Sequence, residues 1–232
     1  MSSRRRLGAL FAPVLAILLV AGCGGGSKSN GIEKLSADKA LAKVKAAAAD
    51  VQSVHVKGAI NQSGQSLTLE LFVSSDAAQG KIGLGGGTMD LRLVNGVTYF
   101  RGDSKVFAAF GANAAQASVA ANRWIKDTGS NGPASAFAAF LDTKKLFDQL
   151  LTPQGSITTG GSATVNGQKA LILVDNSASG GKLYVAENGA ALPLRIERTG
   201  SSGGRVDFTD YNADVNVDVP AGAVDLSQLS GG

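Results

Sequence analysis

One histidine, one cysteine and one tryptophan in 232 residues leave this chain with few side chains that carry chemistry. A lone histidine, His55, rules out the zinc helix that needs two. No G-x-S-x-G elbow is present to give a Ser–His hydrolase its nucleophile. With Cys23 as the sole cysteine, no internal disulfide can form, and the fold must be held by its core. Gly83-Leu84-Gly85-Gly86-Gly87-Thr88 lacks both the Lys-Ser/Thr of a phosphate loop and G-x-G-x-x-G spacing, so it reads as a hairpin turn. Asp207, Asp210, Asp214, Asp218 and Asp225 lack the alternate-residue spacing of a calcium loop and read as solvated turn residues. Arg101-Gly102-Asp103 falls where a turn is due and reads as a chance tripeptide. No catalytic residue, metal site or cofactor is expected.

Long apolar runs are also scarce. One spans Leu7–Val20, 14 residues, which suits the core of a signal peptide and is short for a membrane span. Arg4-Arg5-Arg6 precede it, and Leu19-Val20-Ala21-Gly22-Cys23 follow. Small residues at 21 and 22 fit a narrow peptidase pocket, and the thiol behind them can be alkylated by a diacylglyceryl group. These features resemble the bacterial lipobox, with Val20 where Leu is commonest. The expectation is a signal peptide over 1–22, lipidation at Cys23, and a flexible tether over 23–32. Anchoring on two or three acyl chains is worth up to about 20 kcal/mol. Loss of Arg4, Arg5 and Arg6 takes the formal balance from +4 to +1. The basicity of the whole chain is therefore no argument for nucleic acid as a partner.

The body, residues 33–232, is long enough for one domain. Ser36 can cap a helix whose Leu41, Val44, Ala48 and Val51 share a face. Then the period drops to two: Val54/Val56, Leu67/Leu69/Leu71/Val73, Ile82/Leu84, Met89/Leu91/Leu93 and Val97/Tyr99 alternate with polar residues around Gly and Asn-Gly turns. His55 shares its phase with Ser53 and Lys57 and reads as an exposed strand histidine. Residues 106–121 are Ala-rich with Phe107 and Phe110, and a second helical stretch covers about 133–151, within which Asp142 or Thr143 can cap a helix whose Leu146, Phe147, Leu150 and Leu151 share one side. Strands resume at Ser162–Val165, Ala170–Val174 and Lys182–Ala186. Leu192/Leu194/Ile196, Val206/Phe208 and Val215/Val217/Val219 complete the set. The fold class is α+β, with about ten antiparallel strands in a sheet that needs helices over one face and that tends to curl.

What the chain has in quantity is apolar surface. A curled sheet with helices over its concave side can leave a cavity, and strand phase nominates Leu67, Leu69, Leu71, Val73, Met89, Leu91, Leu93 and Tyr99 as its lining. Phe137, Phe140 and Phe147 join them from the helical middle. Trp124, between Arg123 and Lys126, is a candidate for the rim of such a site.

Several stretches carry a family likeness: the helix before Ser53-Val54-His55-Val56-Lys57-Gly58, then Asn95-Gly96-Val97-Thr98-Tyr99-Phe100, Arg123-Trp124-Ile125-Lys126 and Pro193-Leu194-Arg195-Ile196. Asp207-Phe208-Thr209-Asp210-Tyr211 with Val217-Asp218-Val219-Pro220 extend it. The chain resembles actinobacterial lipoproteins of the LppX/LprG type, within the wider LolA/LolB-like carrier fold. The resemblance implies a strongly curved half-barrel with helices on its concave face, holding a lipid, glycolipid or lipoglycan. Of its functional residues only Cys23 transfers. Residues 106–121 look like an insertion relative to that pattern. The expected protein is a monomer on the extracytoplasmic face of the membrane, carrying an acylated molecule and doing no catalysis. The alternative is an envelope interaction protein with a solid core and a protein partner.

Overall fold

The computed structural model describes residues 28–62, 64–127, 137, 140–200 and 203–229. The expected signal peptide, Cys23 and the start of the tether lie outside the described residues, as does the beginning of the second helical stretch. Helix α1 (Ala37–Ala49) follows Ser36, which occupies the N-cap position without a side-chain capping bond. Its buried stripe is Ala40, Val44 and Ala48, at the helical spacing of four.

Five strands form the first meander: β1 (Ser53–Gln62), β2 (Gln65–Ser74), β3 (Ala77–Leu84), β4 (Gly87–Val94) and β5 (Val97–Gly102). Asn95-Gly96 joins β4 to β5 with φ of 51° and 76°, the left-handed pair of a type I′ turn that matches the strand twist. Gly85 and Gly86 make the same turn between β3 and β4, so the glycine run is a hairpin turn. Two short helices follow, α2 (Ser104–Ala109) and α3 (Ala114–Ala120), then β6 (Ile125–Asp127) and α4 (Thr143–Leu150). Asp142 caps α4 by accepting from the Lys145 amide at 2.9 Å. The second meander is β7 (Ile157–Val165), β8 (Gln168–Asp175), β9 (Gly181–Ala186), β10 (Pro193–Arg198) and β11 (Gly204–Thr209). The last described elements are β12 (Val224–Asp225) and α5 (Leu226–Leu229).

All twelve strands join one open sheet, ordered β12-β6-β5-β4-β3-β2-β1-β11-β10-β9-β8-β7, antiparallel except for β12 on β6. Register places Val56, Leu71, Gly80 and Leu91 in one row and Leu69, Ile82 and Met89 in another, all toward the inner face. Helices α1, α2 and α4 cover that face. Leu71, Ile82, Leu91 and Phe208 lie there at 2% exposure or less, each contributing about 1.5–3 kcal/mol by leaving water.

Two expectations need correction. Residues 29–32 do not hang free. Ser29 bridges to Asn188, the Asn30 amide donates to the Glu187 carbonyl at 2.7 Å, and Ile32 is fully buried. The body therefore takes hold of the chain six positions after Cys23. Nor do Val215, Val217 and Val219 form a strand. Strand β11 is already paired on both sides, by β1 and β10, so the chain leaving it has no open edge to join. Asp210 and Asn212, both at positive φ, turn it off the sheet. It then crosses the outer face, held by Gln79 donating to the Asn216 carbonyl (3.4 Å) and Arg92 to that of Asp218 (3.0 Å).

Candidate functional site

The cavity lies at one end of the inner face. Its floor is Met89 and Leu91 of β4, Thr98 and Phe100 of β5, and Ile125 of β6. Its roof is α2, α3 and the turn between them: Phe107, Phe110, Gly111, Ala112, Ala115, Gln116, Val119 and Ala120. Phe137 closes one side, and Leu226 and Gln228 of α5 another. The volume is about 550 Å³, within the range of roughly 300–1,000 Å³ that small-molecule sites occupy. None of these lining residues is ionisable.

Local chemistry explains why the roof stands where it does. Asp103 caps α2 through one carboxylate oxygen, which accepts from the Val106 amide at 3.0 Å, while the other accepts from the Thr88 amide at 3.0 Å. One side chain thus ties the helix to the first turn of β4. Those bonds from Val106 and Thr88 hold its carboxyl below the ordinary value of 3.8. Gly87 makes the approach possible, since a Cβ there would collide with the Asp103 carboxylate and the Val106 backbone. Arg101-Gly102-Asp103 is therefore a strand end followed by a helix cap. At α3, Asn113 and Gln116 form a reciprocal capping box: Asn113 accepts from the Gln116 amide at 2.9 Å, and Gln116 Oε1 accepts from the Asn113 amide at 3.1 Å.

The void itself follows from side-chain size. Helix α2 meets the sheet with Val106 and Phe107, but α3 presents mostly alanine where α4 places Leu146, Phe147 and Leu150, and small residues over a sheet leave space. The rings at its margin pack edge to face or tilted: Phe110 on Phe137 at 5.4 Å, Phe100 on Phe107 at 6.1 Å.

Of the nominated residues, Met89 and Leu91 from strand phase and Phe137 from the helical middle are brought together here. Leu69, Leu71 and Val73 are packed core at 5% exposure or less, and Leu67 and Leu93 are partly buried against it. Phe140 packs against the same core from beyond the cavity. Phe147 is buried under α4, 5.8 Å from Phe208 and 6.3 Å from Tyr211. Tyr99 and Trp124 lie on the other side of the sheet. Tyr99 pairs with Arg92 and Lys126, whereas Phe100 pairs with Leu91 and Ile125 toward the cavity. Trp124 has the guanidinium groups of Arg92 and Arg101 over its ring, at 4.9 and 4.8 Å from the centroid, so it is not at the cavity rim. The signal for Phe107 and Phe110 was in the sequence, as two rings three apart in an alanine-rich helix. For Phe100 there was none, because Tyr99 and Phe100 are both large and both buried.

On the outer face, His55 holds the phase expected of it but is covered. Its side chain is 14% exposed and its ring stacks on Phe72 at 4.0 Å. Nδ1 lies 3.1 Å from Thr209 Oγ1 and 3.3 Å from Asp210 Oδ2. Asp207 is a strand residue rather than a solvated turn residue, bridged by Arg195 at 2.6 Å and Arg205 at 2.8 Å. No cluster of three metal-ligating side chains occurs among the described residues, and no described helix is long and apolar enough to cross a membrane.

The fold of this open, largely antiparallel sheet with helices over one face is shared with solved structures. LprF from Mycobacterium bovis matches with a TM-score of 0.57 and 14% identity, over 85% of this chain and 100% of that one. The Mycobacterium tuberculosis lipoprotein LppX matches with 0.53 and 16%, over 78% of this chain and 100% of that one. At such identities the likeness is one of fold, and this chain has the LppX-type fold. No protein-family model and no curated protein matches the sequence.

Proposed function

We propose that this protein is an envelope lipoprotein, acylated at Cys23 on the extracytoplasmic face of the membrane, that binds and carries a lipid through its acyl portion. The cavity between β4–β6 and α2–α3 carries the reading, because a continuous hollow of about 550 Å³ with no ionisable group among its described lining residues suits a hydrocarbon chain. The lipobox supports the anchor, and the shared fold with the lipoprotein LppX supports the class. An interaction protein with a solid core accounts for the packing under β1–β3 but not for this void.

The test is mass spectrometry of organic extracts from the purified Cys23→Ala chain, which keeps the whole body and lacks the acyl groups at residue 23. Lipid is expected at near one molecule per protein, and its absence even after incubation with cell-envelope lipid extract would end the carrier reading. In cells, the same substitution should leave the chain unprocessed or shed. Normal retention at normal mature mass would sink the lipoprotein assignment.

A further inference from the structure

We propose that the cavity takes a single acyl chain with an uncharged, oxygen-bearing head, the chemistry of a monoacylglycerol, and excludes both two-chain lipids and fatty-acid anions. The inference rests on the carrier reading and narrows its ligand. Two observations carry it, one of size and one of charge.

Size comes first. A cavity of about 150 Å³ holds benzene, so apolar pockets need about 25 Å³ per non-hydrogen atom. At that rate 550 Å³ admits on the order of twenty such atoms. One chain of roughly sixteen carbons with a few head-group atoms fills it. A second chain of the same length needs about as much space again, and the packed core under β1–β3 offers none.

Charge decides the head. The described lining has no Lys, Arg, His, Asp or Glu, and the buried ionisable group beside it is acidic: Asp127, in phase with Ile125 on β6 and paired with Thr98. A carboxylate or phosphate drawn inside would be desolvated with no counter-charge to meet it. The polar groups present are Thr98, Gln116 and Gln228. Because Gln116 Oε1 is already taken by the Asn113 amide, the part of that side chain left for a ligand is its NH₂. A donor of this kind suits an ester carbonyl or a hydroxyl oxygen, both uncharged acceptors.

The delipidated Cys23→Ala chain should be titrated calorimetrically at pH 8 with monopalmitoylglycerol, dipalmitoylglycerol and palmitate. The expected result is one monopalmitoylglycerol per protein, bound at least tenfold more tightly than either of the others. Ala115→Trp, which places a ring inside the roof, should abolish that binding while the melting temperature stays close to that of the parent. Palmitate binding as tightly as monopalmitoylglycerol would overturn the uncharged head, and dipalmitoylglycerol doing so would overturn the single chain; either leaves the carrier reading standing. Failure of all three probes to bind would overturn this inference, while the carrier reading stands or falls on the extraction with envelope lipid.

Discussion

The inner face of the sheet is finished in two different ways. Under β8–β11 and β1, helices α1 and α4 bring Val44, Leu146, Phe147 and Leu151 onto Leu171, Leu173, Val185 and Phe208, all at 8% exposure or less. The hollow beside Leu41, Leu150 and Leu173 is about 60 Å³, and one between α1 and α4, edged by Lys45, Lys144 and Asp148, is about 250 Å³. Under β4–β6, Phe107 of α2, Phe110 at its end and the alanines of α3 cover an equally apolar floor, and about 550 Å³ stays open. The floors are similar, so the larger void comes from the lid. Aliphatic and aromatic side chains of α1 and α4 fill most of one half, while the methyl groups of α3 cannot fill the other.

The largest effects should separate these halves most clearly. Phe147→Ala removes a ring packed on Phe208 and Tyr211 and is expected to cost about 3–5 kcal/mol. Phe110→Ala removes a ring that already borders empty space, so it forfeits fewer contacts and should cost under about 3 kcal/mol. Denaturant unfolding of both variants checks the order, and equal losses would mean that the cavity half is packed after all.

Enlargement should reverse the contrast. Leu71→Trp overpacks the closed half and is expected to cost about 1–3 kcal/mol. Leu91→Trp projects into the cavity, so it should cost less than Leu71→Trp while reducing lipid uptake. Melting temperature and co-purified lipid, measured on the same samples, test the pairing. A Leu91→Trp chain that is badly destabilised yet still loaded with lipid would break it.

A smaller effect lies at the hinge between floor and lid. Asp103→Ala removes the cap of α2 and its tie to Thr88, at an expected cost of about 0.5–2 kcal/mol. The Asp103 carboxyl is held below 3.8 in the folded state, so its contribution is present above that pH and is lost as pH falls through the lower folded value. Acid titration of stability below pH 4 should therefore be shallower in Asp103→Ala than in the parent, and superimposable curves would deny the tie. The smallest effect concerns Trp124. Because the guanidinium groups of Arg92 and Arg101 lie over its ring on the outer face, its fluorescence should not move when the cavity fills, although Arg101→Ala should shift it. A ligand-dependent shift in the parent would place the indole in the cavity's surroundings.

Much of the architecture could be read directly from residue order. Alternation at Leu67–Val73 and Met89–Leu93, with Asn-Gly turns of the right hand, identified the strands and their inward faces, because period and turn type are local properties. Asp142 announced its helix in the same way. The failures came where a local pattern met a distant constraint. Val215, Val217 and Val219 alternate like a strand but follow β11, which is paired on both edges. Val97/Tyr99 alternate as well as Thr98/Phe100 do, and only pairing with Leu91 decides which side faces inward. The tether looked free through residue 32 until Asn188 and Glu187 provided partners more than 150 positions away.

The sequence by itself determined the poverty in catalytic groups, the α+β composition and the inward face of most strands. Each of these depends on residue identity or on spacings within a few positions. Tertiary structure decided which apolar residues are core and which line a space. Leu71 and Leu91 are alike in sequence and in strand phase, and they differ only in what covers them: a filled interior over one, an alanine-rich lid over the other. Cavities arise from the mismatch of surfaces far apart in the chain, and no local pattern records that mismatch.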